Sequence, residues 1–201
     1  MKLYYAPGAC SLATHIVLEW TGKSYEAEKV SIHPKSENLL AVNPAGAVPV
    51  LEDDGWVLTQ NSAILNYLAD VYPEAKLGGD TPRARAEVNR WLGVINSEVH
   101  PAYKPFFGAM DYLGDKAAIE KVHENSRQAI RKNLERADKQ LESHDWIAGE
   151  CSVADAYLFV MLRWAKAQKI DLAGLDHVEA WFKRMSSDSA VTKVLREEGL
   201  D

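Results

Sequence analysis

The sequence predicts two units in series, a small α/β domain over residues 1–78 and an all-helical domain over residues 83–201. Three observations carry this. Residues 1 to about 72 read β-α-β, a loop with one helical turn, then β-β-α. Pro73 to Pro82 is rich in Gly, Pro and charge, as a linker is. Beyond it the strand signals mostly disappear, and apolar residues recur at helical spacing.

In the first unit, Lys2-Leu3-Tyr4-Tyr5 is a β-favouring run broken by Pro7 and Gly8. Leu12, Ala13, Ile16, Val17 and Trp20 then mark one face of an amphipathic helix, with Gly22 placed to take a positive φ at its end. Tyr25 to Ile32 reads as a second strand, and Asn38–Ala41 as a helical turn stopped by Asn43-Pro44. Ala45 to Leu51 is a short apolar strand carrying Pro49, and proline is confined to edges, bulges or special geometry in sheets. Asp53-Asp54-Gly55 predicts a tight hairpin into Trp56-Val57-Leu58. Ala63, Ile64, Tyr67, Leu68 and Val71 form the last helical stripe. A strand–helix–strand half followed by a hairpin implies a mixed sheet of about four strands.

In the second unit, Thr81-Pro82 is a helix entry, with periodic residues from Val88 through Val99 to Pro101. Asp115 can cap a long helix with Ile119, Val122, Ser126, Ala129, Ile130 and Ala137 inward. The alternating charges of that helix read as a solvated face. Ser152-Val153-Ala154-Asp155 resembles a capping box. The helix it opens is apolar almost all round, which places it at the centre of the helical half. Two shorter helices fit Val178–Met185 and Ala190–Arg196, and Trp91, Trp164 and Trp181 read as core.

Composition narrows the function. An apolar content of 47% over 201 residues permits a proper core, and a net charge of −6 argues against nucleic-acid or anionic-membrane partners. Cys10 and Cys151 give no disulfide framework and no Cys-x-x-Cys pair, and there is no Cys/His cluster with metal spacing. No secretory signal and no membrane-length apolar run is read, so the expectation is a cytoplasmic protein with no metal.

The stretch Tyr5-Ala6-Pro7-Gly8-Ala9-Cys10-Ser11 puts Cys10 at a helix N-terminus, where free N–H groups and the helix dipole favour a thiolate. By itself the position leaves two readings open, a reactive thiolate or an inert cysteine under a strand–helix turn.

The element order resembles that of the glutathione transferases. Asn43-Pro44-Ala45-Gly46-Ala47-Val48-Pro49 is similar to their Asn-Pro-x-Gly-x-Val-Pro loop, whose last proline is cis. Leu58-Thr59-Gln60-Asn61-Ser62-Ala63-Ile64 resembles the turn that holds the glutamyl end of glutathione, with Gln60 and Asn61 where the family has Glu and Ser or Gly. Ser152 to Asp155 matches the C-terminal capping motif, and Tyr5 to Ser11 points to the bacterial beta class. The resemblance implies a thioredoxin-like first domain and glutathione as co-substrate, conjugated to small hydrophobic electrophiles. It implies Cys10 and His100 as catalytic residues, and Lys35, Val48, Pro49, Gln60, Asn61, Ser97 and Glu98 around glutathione. Tyr103, Phe106 and Phe107 are expected to line the second-substrate pocket. A homodimer is implied, with Glu98 reaching a neighbour's ligand. Two further readings stand beside conjugation: a monothiol oxidoreductase or peroxidase working through a Cys10 mixed disulfide, and a non-enzymatic interaction module on the same scaffold.

Overall fold

The computed structural model describes residues 1–108, 110, 112 and 114–201. Four strands, β1 (Lys2–Tyr5), β2 (Glu26–Lys29), β3 (Val50–Asp53) and β4 (Trp56–Thr59), form one sheet in the order β2-β1-β3-β4. β1 pairs parallel with β2 and antiparallel with β3, and β3 pairs antiparallel with β4. Helices α1 (Ser11–Trp20), α2 (Glu37–Val42) and α3 (Asn61–Val71) belong to this half. The predicted hairpin is present, with Asp54 and Gly55 both at positive φ as a type I′ turn requires.

Two strands differ from expectation. β2 stops at Lys29 because its partner β1 ends at Tyr5, whose carbonyl takes one last bond from the Val30 N–H at 2.8 Å. β3 begins only at Val50, since Pro49 has no N–H to give the ladder. Residues 45–49 are therefore loop, and the Val48–Pro49 bond is cis, as is His33–Pro34.

The helical half runs through α4 (Pro82–Val94), a π turn (Ile95–Val99), α5 (His100–Ala102), α6 (Lys116–Leu141), α7 (Val153–Ala167), α8 (Asp176–Ser187) and α9 (Ser189–Glu198). The expected single helix up to Pro101 is thus interrupted. In a regular helix the Pro101 ring collides with the carbonyl four residues back, and one wider turn relieves this. Asp115 caps α6 by accepting the Ala117 and Ala118 N–H groups. The buried stripe of α6 is Ser126, Ile130, Leu134, Ala137 and Leu141, whereas Ala129 faces solvent and Ile119 and Val122 are half-buried.

Helix α7 is buried along most of its length and packs against both α1 and α4. Leu3, Leu12 and Ile16 of the first half share one continuous apolar core with Tyr157, Phe159 and Trp181 of the second. A smaller cluster of Tyr4, Val30, Leu39 and Val50 fills the other side of the sheet, where α2 packs. The β1-to-α1 turn is therefore wedged between the two halves. Buried Ser11 stitches it, accepting the Ala6 N–H at 3.2 Å and donating to the Ala6 carbonyl at 3.3 Å.

Candidate active site at the junction of the two halves

Gly8 adopts φ +70°, a conformation glycine takes without strain, and turns the chain from β1 toward α1. Its backbone is gripped from the helical half on both sides. The Gly8 N–H donates to Glu198 Oε2 at 2.9 Å, and its carbonyl accepts the Trp164 indole N–H at 2.8 Å. Two residues on, Cys10 occupies the N-cap of α1, half-buried, and its thiol donates to the Val48 carbonyl at 3.2 Å.

Two clefts meet at this sulfur. The first, about 300 Å³, is lined by Cys10, Val48, Pro49, Gln60, Asn61, Asn96, His100 and Tyr157 among others. The second, about 480 Å³, is largely apolar, with Pro7, Ile32, Phe107 and Trp164 around Lys35 and His33. Cys10, Ala47, Val48 and His100 belong to both. A molecule held in the polar cleft therefore presents one end, beside Cys10 and His100, to whatever occupies the apolar one.

Family models for the glutathione S-transferase N-terminal domain and C-terminal domain match residues 1–70 and 80–188. The glutathione S-transferase GST-4.5 of Xanthomonas campestris pv. campestris is 50% identical over 204 residues, covering 100% of both chains. The chain belongs to the glutathione S-transferase family. A solved glutathione S-transferase from Xylella fastidiosa superposes with a TM-score of 0.96 at 48% identity, over 100% of this chain and 99% of that one. The bacterial beta class glutathione S-transferase of Sphingomonas chungbukensis does so with 0.89 at 37% identity, over 100% of each. The thioredoxin-like first domain and the beta class implied by Tyr5–Ser11 both stand.

Of the residues expected around glutathione, Val48, Pro49, Gln60 and Asn61 come together in the polar cleft. Gln60 is exposed, at φ +74°, and hands over to α3, whose first N–H groups have no partner within the helix. Asn61 differs from expectation. Its side chain is buried and committed inward, accepting from Thr14 Oγ1 at 2.8 Å and donating to the Cys10 carbonyl at 3.2 Å. It ties α3 to α1, which leaves only its backbone for a ligand. Lys35 borders the apolar cleft, its Nζ donating to the Ala45 carbonyl at 2.7 Å. It lies across Gly46, where a Cβ would collide with its side chain.

Ser97 and Glu98 border neither cleft. Ser97 donates to the Gly93 carbonyl at 2.8 Å, and Glu98 pairs with Arg136 at 2.6 Å on the exposed face. Tyr103 is a correction, since it is fully buried and donates to the Met161 carbonyl at 2.7 Å. Phe106 turns away to stack on His123, and of the expected aromatic trio only Phe107 reaches the apolar cleft. Trp164, read as core, stands in that cleft instead, edge-on to Phe107 with centroids 5.0 Å apart. Helical spacing places Trp164 on α7 but does not say which neighbour is missing on its outer side. Asn96 and Tyr157 were not singled out from sequence. Among the described residues, no group of three or more His, Cys, Asp or Glu side chains is arranged to hold a metal ion. None of their helices is long and apolar enough to cross a membrane.

The electrostatics revise the expected thiolate. Burial pushes the Cys10 thiol up to about 12, against the opposing pull of the Cys10 and Ser11 N–H groups. The helix start does not outweigh desolvation, and the thiol donates to Val48 as a neutral group. Burial, aided by the charge of Lys104, likewise lowers His100 to about 4, so its ring is neutral at pH 7. In the free protein, iodoacetamide then alkylates Cys10 slowly at neutral pH, with a rate rising about tenfold per pH unit past pH 9. A plateau near pH 8 in the mass-spectrometric time course contradicts this.

Proposed function

We propose that the chain conjugates the thiolate of glutathione to small hydrophobic electrophiles, with glutathione in the polar cleft and the electrophile in the apolar one. The observation that carries this is the meeting of both clefts at Cys10, Val48 and His100. A sphingomonad glutathione S-transferase 37% identical to this chain was solved in complex with glutathione, which supports the same ligand here.

The glutamyl carboxylate is assigned to the N–H groups that open α3, where an anion needs no basic side chain. Lys35, released from Ala45, takes the glycyl carboxylate. The cysteinyl residue pairs with the Val48 backbone as an added strand does. The same pairing sets the glutathione sulfur beside Cys10, and the thiol turns its proton from the Val48 carbonyl to that anionic acceptor. A neutral donor of raised pKa suits this role, because it stabilises the thiolate while keeping its own proton. Glutathione's thiol proton leaves to solvent, the thiolate forms the S–C bond, and the leaving group departs with the electron pair of the broken bond. The mixed-disulfide reading needs Cys10 itself as a thiolate, which burial opposes.

We further propose that the domains divide at residues 79–82 and that two copies pair. Trp56 on the edge strand β4 is 51% exposed and stacks edge-on against Tyr67 of α3, an apolar surface suited to a partner. Glu98 lies outside both clefts of its own chain, so its proposed contact with glutathione belongs to a neighbouring copy's cleft. Retention on immobilised glutathione, conjugation of an aryl halide and sedimentation as a dimer at micromolar concentration are the expected results. A protein that is neither retained nor active overturns the functional reading, and a monomer overturns the pairing.

A further inference from the structure

Tyr157 sits on the central helix α7, fully buried, yet its hydroxyl faces the polar cleft. It lies 2.6 Å from His100 Nδ1 and 3.4 Å from Asn96 Oδ1. A phenol has one proton: given to an unprotonated Nδ1 it makes the short 2.6 Å bond, and given to Asn96 Oδ1 the long 3.4 Å one, with Nδ1–H then donating to the phenol oxygen. The His100 ring is otherwise held edge-on by Trp164, with centroids 5.1 Å apart, and by Tyr157 itself at 5.9 Å. Burial raises the phenol's pKa, so Tyr157 keeps its proton. The neutral imidazole can be protonated on either nitrogen, and the partner of one nitrogen decides which.

We propose that Tyr157 is a positioning residue: by donating to Nδ1 it fixes His100 as the Nε2–H tautomer and makes the ring a hydrogen-bond donor where the two clefts meet. Resting on the conjugation reading above, the beneficiary of that N–H is the glutathione thiolate. Asn96 Oδ1, brought to the same spot by the π turn, is the competing acceptor for that proton, and its 3.4 Å separation makes it the weaker one. His100 then works without ever becoming a cation, as its low pKa requires.

Two measurements test this. In the free protein, ¹⁵N spectra of the histidine rings, with His100 identified by its loss in His100→Gln, show a single Nε2–H tautomer in the wild type. Tyr157→Phe gives a mixture of tautomers. An Nδ1–H tautomer in the wild type overturns the proposal. With glutathione bound, ultraviolet thiolate absorbance titrates the ligand's thiol, and Cys10, protonated in this range, adds nothing. Tyr157→Phe raises that midpoint by about one pH unit and lowers kcat at neutral pH about tenfold. The KM for glutathione changes less than about twofold. An unchanged midpoint in a folded variant overturns the proposal. Should the phenylalanine variant fail to fold, 3-fluorotyrosine at position 157 keeps the shape with a more acidic hydroxyl. The midpoint then moves down, and an unmoved midpoint is equally fatal. If the wild type shows no thiolate on bound glutathione, the conjugation reading fails, while the tautomer measurement still decides the role of Tyr157.

Discussion

Asp155→Ala lowers the unfolding free energy by about 3–5 kcal/mol, the range for removing one member of a buried charged network. For a chain of this size that is a fall in Tm of roughly 10 °C. The carboxylate is fully buried at the start of α7 and accepts four hydrogen bonds. Oδ2 takes the Ser152 N–H and hydroxyl at 3.0 and 2.9 Å, and Oδ1 takes the Ile147 N–H and the Trp181 indole at 2.9 and 3.0 Å. Alanine leaves all four donors without an acceptor in a site water cannot reach. Burial pushes this carboxyl up to about 6, against the pull of the donors. A folded pKa above the unfolded value of about 3.9 means that ionisation costs stability as pH rises through 6. The wild type therefore exceeds the variant by more at about pH 5 than at about pH 7.5. Urea denaturation at both values measures this, and a loss under about 1 kcal/mol at each contradicts it.

This network was half legible in the sequence. Ser152 and Asp155 stand three apart before an apolar run, and that spacing is local chemistry a sequence displays. Ile147 and Trp181 close the same network from other segments and show no such signal. The functional site divides in the same way. The placement of Cys10 was readable because a strand break and a helix start are contiguous in the chain, and the cis Val48–Pro49 bond only through the loop's resemblance to the family's motif. That the thiol stays neutral was not, because desolvation depends on what packs over the turn from far away in sequence. The aromatic trio shows the cost of counting type and region alone. Tyr103, Phe106 and Phe107 are near neighbours in sequence, yet the turn that carries them sends one into the core, one onto His123 and one into the cleft. Asn96 reaches the site because the π turn alters the helical phase, and only the packing around Pro101 reveals it.

Glu198→Ala is expected to lose stability on the same scale, about 3–5 kcal/mol, and activity along with it. This residue lies 190 positions from Gly8 in sequence, and its side chain is completely buried. Oε2 accepts the Gly8 N–H, and Oε1 lies 2.9 Å from His15 Nδ1, in the middle of α1. One carboxylate thus fastens the C-terminal helix to the loop that leads into Cys10 and to the helix that Cys10 opens. Truncation strands the Gly8 N–H and the His15 ring in the interior, and Gly8 is then held only by the Trp164 indole. Glu198→Gln separates the two functions of the side chain. The amide oxygen can still accept from Gly8 while its NH₂ donates to His15 Nδ1, which moves the ring proton to the buried Nε2 that has no hydrogen-bond partner among the described residues, so a smaller loss of about 1–3 kcal/mol follows. Because Cys10 is positioned through Gly8, kcat/KM falls in the alanine variant even at temperatures where circular dichroism shows it fully folded. The glutamine variant stays nearer the wild type when its oxygen serves Gly8. Equal stability of the wild type and the alanine variant would mean that α9 adds nothing to this loop. A folded alanine variant with wild-type kcat/KM would mean that Trp164 alone sets the position of Cys10.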